Sequence, residues 1–410
     1  MSRYNCRFCN EKLIDTFVDL GITPLSNSFL TQNLLKKKEN VFPLHVYVCR
    51  NCLLVQLPEF ETPENIFRDY AYFSSYSETW LEHVRNYVNY MIDRFGFNKN
   101  NLVVEIASND GYLLKYFVGK GIPVLGIEPA ANVAKIAEQN GVPTLVKFFN
   151  TKTAFELSQE DKKADLIIGN NVLAHVPNVN DFVDGMKILL KLGGVITMEF
   201  PHILKLIQFN QFDTIYHEHF SYLSLFVVQK IFSSHNLTIF DVEEIETHGG
   251  SIRIFVKHSK NKSFQIENRV LELLEKEKKF GLNDLAKYTQ FAKDVIEAKE
   301  RIRKFFLATK KDGKKVVCYG AAAKGNTLLN YCQIGTDFIE YIVDKNIHKQ
   351  GMFLPGSHIP IKDPKEIKKT KPDYVVILPW NLKDEIMKQI QYIREWGGKF
   401  VIPIPEVKIL

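Results

Sequence analysis

Seven consecutive residues, Tyr216-His217-Glu218-His219-Phe220-Ser221-Tyr222, crowd two imidazoles, a carboxylate and two phenols into one short segment. Such density of titratable groups points to proton handling. A histidine near its reference pKa of ~6.5 accepts a proton at neutral pH, and a neighbouring carboxylate can orient it. The order H-E-H is not H-E-x-x-H, so the helical zinc pair of a metalloprotease is missing. Metal binding by His217 and His219 is the alternative, and it needs an extended backbone to bring both rings to one side. A satisfied surface loop is the purely structural reading.

A different chemistry sits at each end of the chain. Cys6-x-x-Cys9 and Cys49-x-x-Cys52 are paired knuckles that present four thiolates to one tetrahedral zinc ion. Such a site is closed, so the ion is structural. Cys318 and Cys332 lie in apolar runs and read as core. Near the other end, Gly320-Ala-Ala-Ala-Lys324-Gly325-Asn326-Thr327 is a small-residue turn opening a helix. Lys324 and the Gly325, Asn326 and Thr327 amides can take a phosphate there, and a close-packed turn without ligand explains the same residues.

Between them, Leu102–Leu114 reads L-V-V-E-I-A-S-N-D-G-Y-L-L. An apolar strand runs into the small, polar Ala107, Ser108, Asn109, Asp110 and Gly111, and a helix follows. That geometry gathers free N–H groups where nucleotide-like ligands sit. No G-x-G-x-x-G and no Lys-Ser/Thr pair is present. Instead Glu105 and Asp110 bring carboxylates, which repel pyrophosphate and suit the sulfonium and ammonium of S-adenosylmethionine (SAM). A solvated Asn-Asp-Gly turn is the bland alternative. About twenty residues on, a second strand ends in Glu128-Pro129, where a carboxylate can accept the ribose hydroxyls. Asn170 and Asn171 end a later strand at the same edge, and His175 follows in N-V-L-A-H-V-P-N.

The elements that must carry these groups alternate as α/β units. Strands are expected at 102–106, 124–128, 144–146, 165–169 and 195–199, with helices between them. Runs 238–246 and 251–257, joined at Gly249-Gly250, should form a closing hairpin. Five parallel strands plus an antiparallel pair make the seven-stranded, Rossmann-like sheet of class I SAM-dependent methyltransferases. Residues 1–77 form the zinc module, 78–260 the SAM-binding domain, and 261–410 a helical bridge and a second Rossmann-like α/β domain. Tyr70, Tyr72 and Tyr76, clustered with serines in the connector, can line a polar pocket or pack against the next domain.

Bulk properties agree. The 410 residues are 45% hydrophobic and 24% charged, with a net charge of +6 that is small for this length. The lysine-rich runs read as solvated faces, so no nucleic-acid partner is expected. No 18-residue apolar run and no signal-peptide core is present, and a cytoplasmic protein without a membrane partner is expected, as a monomer or weak homo-oligomer.

Taken together, the double C-x-x-C module, E-I-A-S-N-D-G-Y-L-L, I-Y-H-E-H-F-S-Y and G-A-A-A-K-G-N-T resemble, over nearly the whole chain, the sugar C-methyltransferases. These methylate a ring carbon of nucleotide-linked keto-deoxysugars. The resemblance implies that His219 is the base, that Tyr216, Glu218 and His175 support it, and that Tyr70 completes the pocket. It implies nucleotide-sugar contacts from the metal module and the terminal domain, with His217, Tyr222, Tyr72 and Tyr76 among the substrate-side residues. Several proton-handling groups favour a carbon acceptor over the O- or N-methyltransferase alternative, because a carbon nucleophile must first be made by removing a proton. A non-catalytic SAM- or nucleotide-sugar-binding protein is the rival outside enzymology.

Overall fold

The computed structural model describes residues 4–67, 75 and 78–410. Tyr70, Tyr72 and Tyr76 lie outside the described residues.

Strands β1 (Asp15–Thr23), β2 (Phe42–Val48) and β3 (Val55–Gln56) pair antiparallel. Alternation in β2 buries Leu44, Val46 and Val48. Phe17 of β1 stacks on Phe291 at 4.6 Å, and Phe291 belongs to the helix Leu285–Lys311. The charged stretch expected as a bridge is therefore two helices, Asn268–Phe280 and Leu285–Lys311, the longer of which covers the small sheet. So short a module encloses too little apolar volume alone and borrows a helix face.

The central sheet begins with β4 (Val103–Ile106), β5 (Val124–Ile127), β6 (Thr144–Leu145), β7 (Ala164–Asn170) and β8 (Leu190–Pro201), all parallel. Next, β9 (Ser221–Tyr222) leaves this sheet and pairs with β3, becoming the fourth strand of the N-terminal sheet. β10 (Leu237–Ile245) and β11 (Ser251–His258) return as the antiparallel pair, giving the order β10-β11-β8-β7-β4-β5-β6. This is the class I methyltransferase sheet expected from the sequence.

The last sheet holds β12 (Val316–Tyr319), β13 (Ile342–Val343), β14 (Ile361–Lys362), β15 (Tyr374–Ile377), β16 (Lys399–Ile402) and β17 (Lys408–Ile409). Its order is β14-β13-β12-β15-β16-β17, parallel except at β17. β14 and β17 have two residues each, too few to show a hydrophobic period. One apolar cluster runs from Phe17 through Ile196 to Cys318 and Leu378, so the three sheets share a core. No helix of the described residues is long and apolar enough to cross a membrane.

Candidate active site

The knuckles converge. The sulfurs of Cys6, Cys9, Cys49 and Cys52 all lie within 4.8 Å of one another, with Cys6–Cys52 at 3.6 Å and Cys9–Cys49 at 3.5 Å. Tetrahedral zinc with Zn–S bonds of about 2.3 Å sets sulfurs roughly 3.8 Å apart, so the donor set fits the ion. Hydrogen bonds from Cys49 and Cys52 push the Cys6 thiol strongly towards thiolate. Gln56 Nε2 also donates to the Cys6 sulfur at 3.1 Å. Next to Cys6, the Arg7 guanidinium donates to the Leu57 and Pro177 carbonyls and lies over the Phe220 ring. The zinc module thus braces the loop that follows β7.

That loop bounds a cavity of about 510 Å³ at the carboxyl edge of the central sheet. Ala107, Asn109, Glu128, Pro129, Asn170 and Asn171 are among the residues that line it. Ala107 and Asn109 hold φ of 58° and 48°, and Asn171 holds 54°, the left-handed backbone often seen at ligand sites. Glu128 accepts the Asn109 and Ala130 amides at 3.0 and 2.9 Å, which fixes its carboxylate at the wall. Asn170 is buried, with neither side-chain polar atom bonded among the described residues. An unmet donor and acceptor beside a fixed carboxylate suit the polar ribose and amino-acid ends of SAM.

Glu105, Ser108, Asp110 and Gly111 do not line this cavity. They build the loop from behind. Asp110 accepts the Ser75 hydroxyl at 2.5 Å, and Gly111 turns at φ 74° against Val142. Burial, aided by nearby Asp110 and Glu128, pushes the Glu105 carboxyl well up. A carboxyl under the sheet edge meets no water, which disfavours its charged form. Beyond Glu128, Phe148, Phe149 and Asn150 extend the wall. Their place after β6, at the carboxyl edge, was the available signal for them.

His175, Tyr216, Glu218 and His219 also line the cavity. The His219 ring lies 4.0 Å from that of Tyr216 and 4.8 Å from that of His175, centroid to centroid. His219 Nδ1 stands 2.8 Å from the Thr214 carbonyl oxygen. A carbonyl only accepts, so Nδ1 carries the proton and Nε2 is the ring's basic atom. Burial, with His175 beside it, holds the His219 pKa well below its usual value, which favours the neutral ring. The expected orientation of this histidine by Glu218 does not occur. Residues 217 and 218 sit in a turn, and Glu218 faces Asn27 instead, accepting from Nδ2 at 2.6 Å. Burial raises Glu218 to about 7 despite Asn27 and Lys349.

His217 is not brought to the cavity wall: its buried ring meets Phe42 edge-on. Tyr222 is likewise buried behind His219, in β9. Lys324 and Lys349, with Ala322 and Ala323, line the same cavity. Lys324 bonds Asn381 Oδ1 at 2.8 Å, and Lys349 bonds the Ala321 carbonyl at 2.9 Å; burial lowers both. Gly325, Asn326 and Thr327 do not line the wall. A Cβ on Gly325 would meet Leu378 at 2.8 Å, so that glycine serves helix–sheet contact, and the Thr327 hydroxyl donates to the Ile215 carbonyl at 3.0 Å. Sequence reasoning missed Asn27, Lys349 and His248, whose Nε2 accepts from Asn171 Nδ2 at 2.8 Å. Gly249-Gly250 marks a turn beside His248; Asn27 and Lys349 carry no local signal.

Three family models match the chain in order: a zinc binding domain over residues 6–67, a methyltransferase domain over 80–242, and a C-methyltransferase C-terminal domain over 246–405. The C-methyltransferase NovU of Streptomyces niveus is 35% identical over 405 residues, covering 99% of this chain and 96% of its own. Among solved structures, PH0226 protein from Pyrococcus horikoshii OT3 is 15% identical, covering 48% of this chain and 99% of its own, with a TM-score of 0.39. Magnesium protoporphyrin IX methyltransferase from Synechocystis PCC 6803 with bound SAM is 16% identical, covering 47% and 88%, with a TM-score of 0.33.

Proposed function

This chain belongs to the C-methyltransferase family, and we propose that this SAM-dependent enzyme methylates a ring carbon beside the ketone of a nucleotide-diphosphate keto-deoxysugar. One observation carries the reading. His219, its tautomer set by the Thr214 carbonyl, packs against His175 and Tyr216 in a cavity whose lining suits two different ligands. Among its lining residues Glu128 and Asn170 suit SAM, and two lysines suit an anion.

A ketone acidifies the neighbouring C–H. Nε2 of neutral His219 takes that proton, and the C–H electron pair becomes the C=C bond of an enolate, with negative charge on the former ketone oxygen. The Tyr216 hydroxyl donates a hydrogen bond to that oxygen. Lys324 and Lys349 hold the diphosphate, which keeps the sugar ring in front of the histidine. The chemistry SAM supplies when bound is an electrophilic methyl group on a sulfonium, with S-adenosylhomocysteine as the leaving group. Such a substrate, and zinc held by reduced thiols, fit a cytoplasmic enzyme.

The test is mass spectrometry of the protein incubated with SAM and a panel of nucleotide-linked 4-keto-deoxysugars. The expected result is one added methyl mass on a panel member, with the new signal on carbon by NMR. A methyl on oxygen or nitrogen would replace the enolate route with direct heteroatom transfer. S-adenosylhomocysteine released with no methylated sugar would overturn the acceptor class.

A further inference from the structure

The carbonyl that sets the His219 tautomer belongs to Thr214, and both neighbours of Thr214 are held by the C-terminal domain. On one side, the Trp380 indole N–H donates to the Asp213 carboxylate at 2.7 Å. Asp213 is fully buried. On the other side, the Thr327 hydroxyl donates to the Ile215 carbonyl at 3.0 Å, from a threonine that is itself buried. Trp380 and Thr327 sit more than a hundred residues along the chain from the residues they hold.

We propose that Trp380 and Thr327 are positioning residues that hold Asp213–Ile215 in place, so that the Thr214 carbonyl keeps His219 in the Nδ1–H tautomer with Nε2 free as base. The proposal rests on the reading of His219 as the base. A short 3-10 turn, Phe212–Thr214, has few internal hydrogen bonds to fix a carbonyl direction, so outside anchors must do so. The same anchors stand beside Lys324, which lines the cavity. Lys324 Nζ lies 4.6 Å over the Trp380 ring, and Thr327 is on the helix Ala323–Cys332 that carries Lys324. The domain that meets the substrate's phosphates therefore also holds the proton acceptor in its working form.

The experiment uses the full-length, zinc-loaded protein and reads three quantities: the His219 ring tautomer by 15N NMR, kcat, and KM for the nucleotide-sugar. Trp380→Phe keeps an aromatic ring near Lys324 and removes the indole donor with the fused ring; Thr327→Val keeps the shape and removes only the hydroxyl. Each is expected to populate the Nε2–H tautomer and to lower kcat about tenfold or more, with KM changed less than about threefold, as misplacement of a base does. Asp213→Asn keeps an oxygen acceptor for Trp380 and is expected to retain the wild-type tautomer, whereas Asp213→Ala is expected to match Trp380→Phe. A wild-type tautomer with wild-type kcat in both Trp380→Phe and Thr327→Val overturns the proposal. SAM affinity reports folding, and if one variant fails to fold the other decides. His219→Ala separates the two readings: if it keeps turnover the base assignment fails, while a dead His219→Ala beside unaffected anchor variants removes only the anchors.

Discussion

Asn27 Nδ2 lies 2.6 Å from Glu218 Oε1, so a residue of the N-terminal module donates to the Tyr216–Tyr222 segment across 191 positions of sequence. With the β3–β9 pairing and the Arg7 contacts, it makes that module part of the cavity wall. Consequences for pH, binding and metal content follow from these contacts.

Glu218 should make stability fall as pH rises. Burial raises its pKa to about 7 from an ordinary 4.5, with Asn27 and Lys349 opposing. Between those values the folded state binds more protons than the unfolded one, so this group's contribution is fully present below 4.5 and lost as pH passes 7. Glu218→Gln cannot ionise and still accepts from Asn27. It is expected to be more stable than wild type by ~1–3 kcal/mol at alkaline pH, the size of such a shift in free energy. Denaturant titrations along a pH series check this; a gap that is constant with pH would show that Glu218 does not titrate as its burial implies.

His219→Ala is expected to lose turnover while SAM affinity stays within a few-fold. Solvent deuterium should enter the sugar carbon beside the ketone in wild type, if proton removal is reversible, and not in the variant. Exchange that persists without His219 would hand the base role to another group in the cavity.

Glu128→Ala should weaken SAM binding by ~1–3 kcal/mol, the cost of stranding hydrogen-bonding groups. The structure adds that the carboxylate also holds the Asn109 and Ala130 amides, so Glu128→Gln, which keeps one acceptor, should recover part of the loss. Calorimetric titration with SAM measures both, and unchanged affinity in the alanine variant would remove the ribose assignment.

Cys49→Ser should lose one equivalent of zinc by elemental analysis and lower the thermal midpoint. Because β9 is the fourth strand of the zinc module's sheet, turnover should fall as well, although four thiolates leave the ion no open position for chemistry. A metal-free variant with wild-type turnover would show that the sheet keeps its pairing without the ion.

Several features were legible in the sequence because they depend on neighbours in the chain. The C-x-x-C spacing sets the reach of each thiolate pair, and the alternation of apolar runs with helical periods dictates the five parallel strands and the closing hairpin. The crowding of Tyr216, His219 and the rest of that segment is likewise local. Tertiary structure alone decided which of those side chains face the cavity. His217 and His219 are two residues apart, yet a turn sends one to Phe42 and the other to Tyr216. It also decided the partners: Asn27 for Glu218, Lys349 beside Lys324, and Trp380 and Thr327 around Thr214. These pairs join segments tens to hundreds of residues apart, and no local period encodes them. They exist because three sheets share one apolar core, and its packing brings their polar edges to a single cavity.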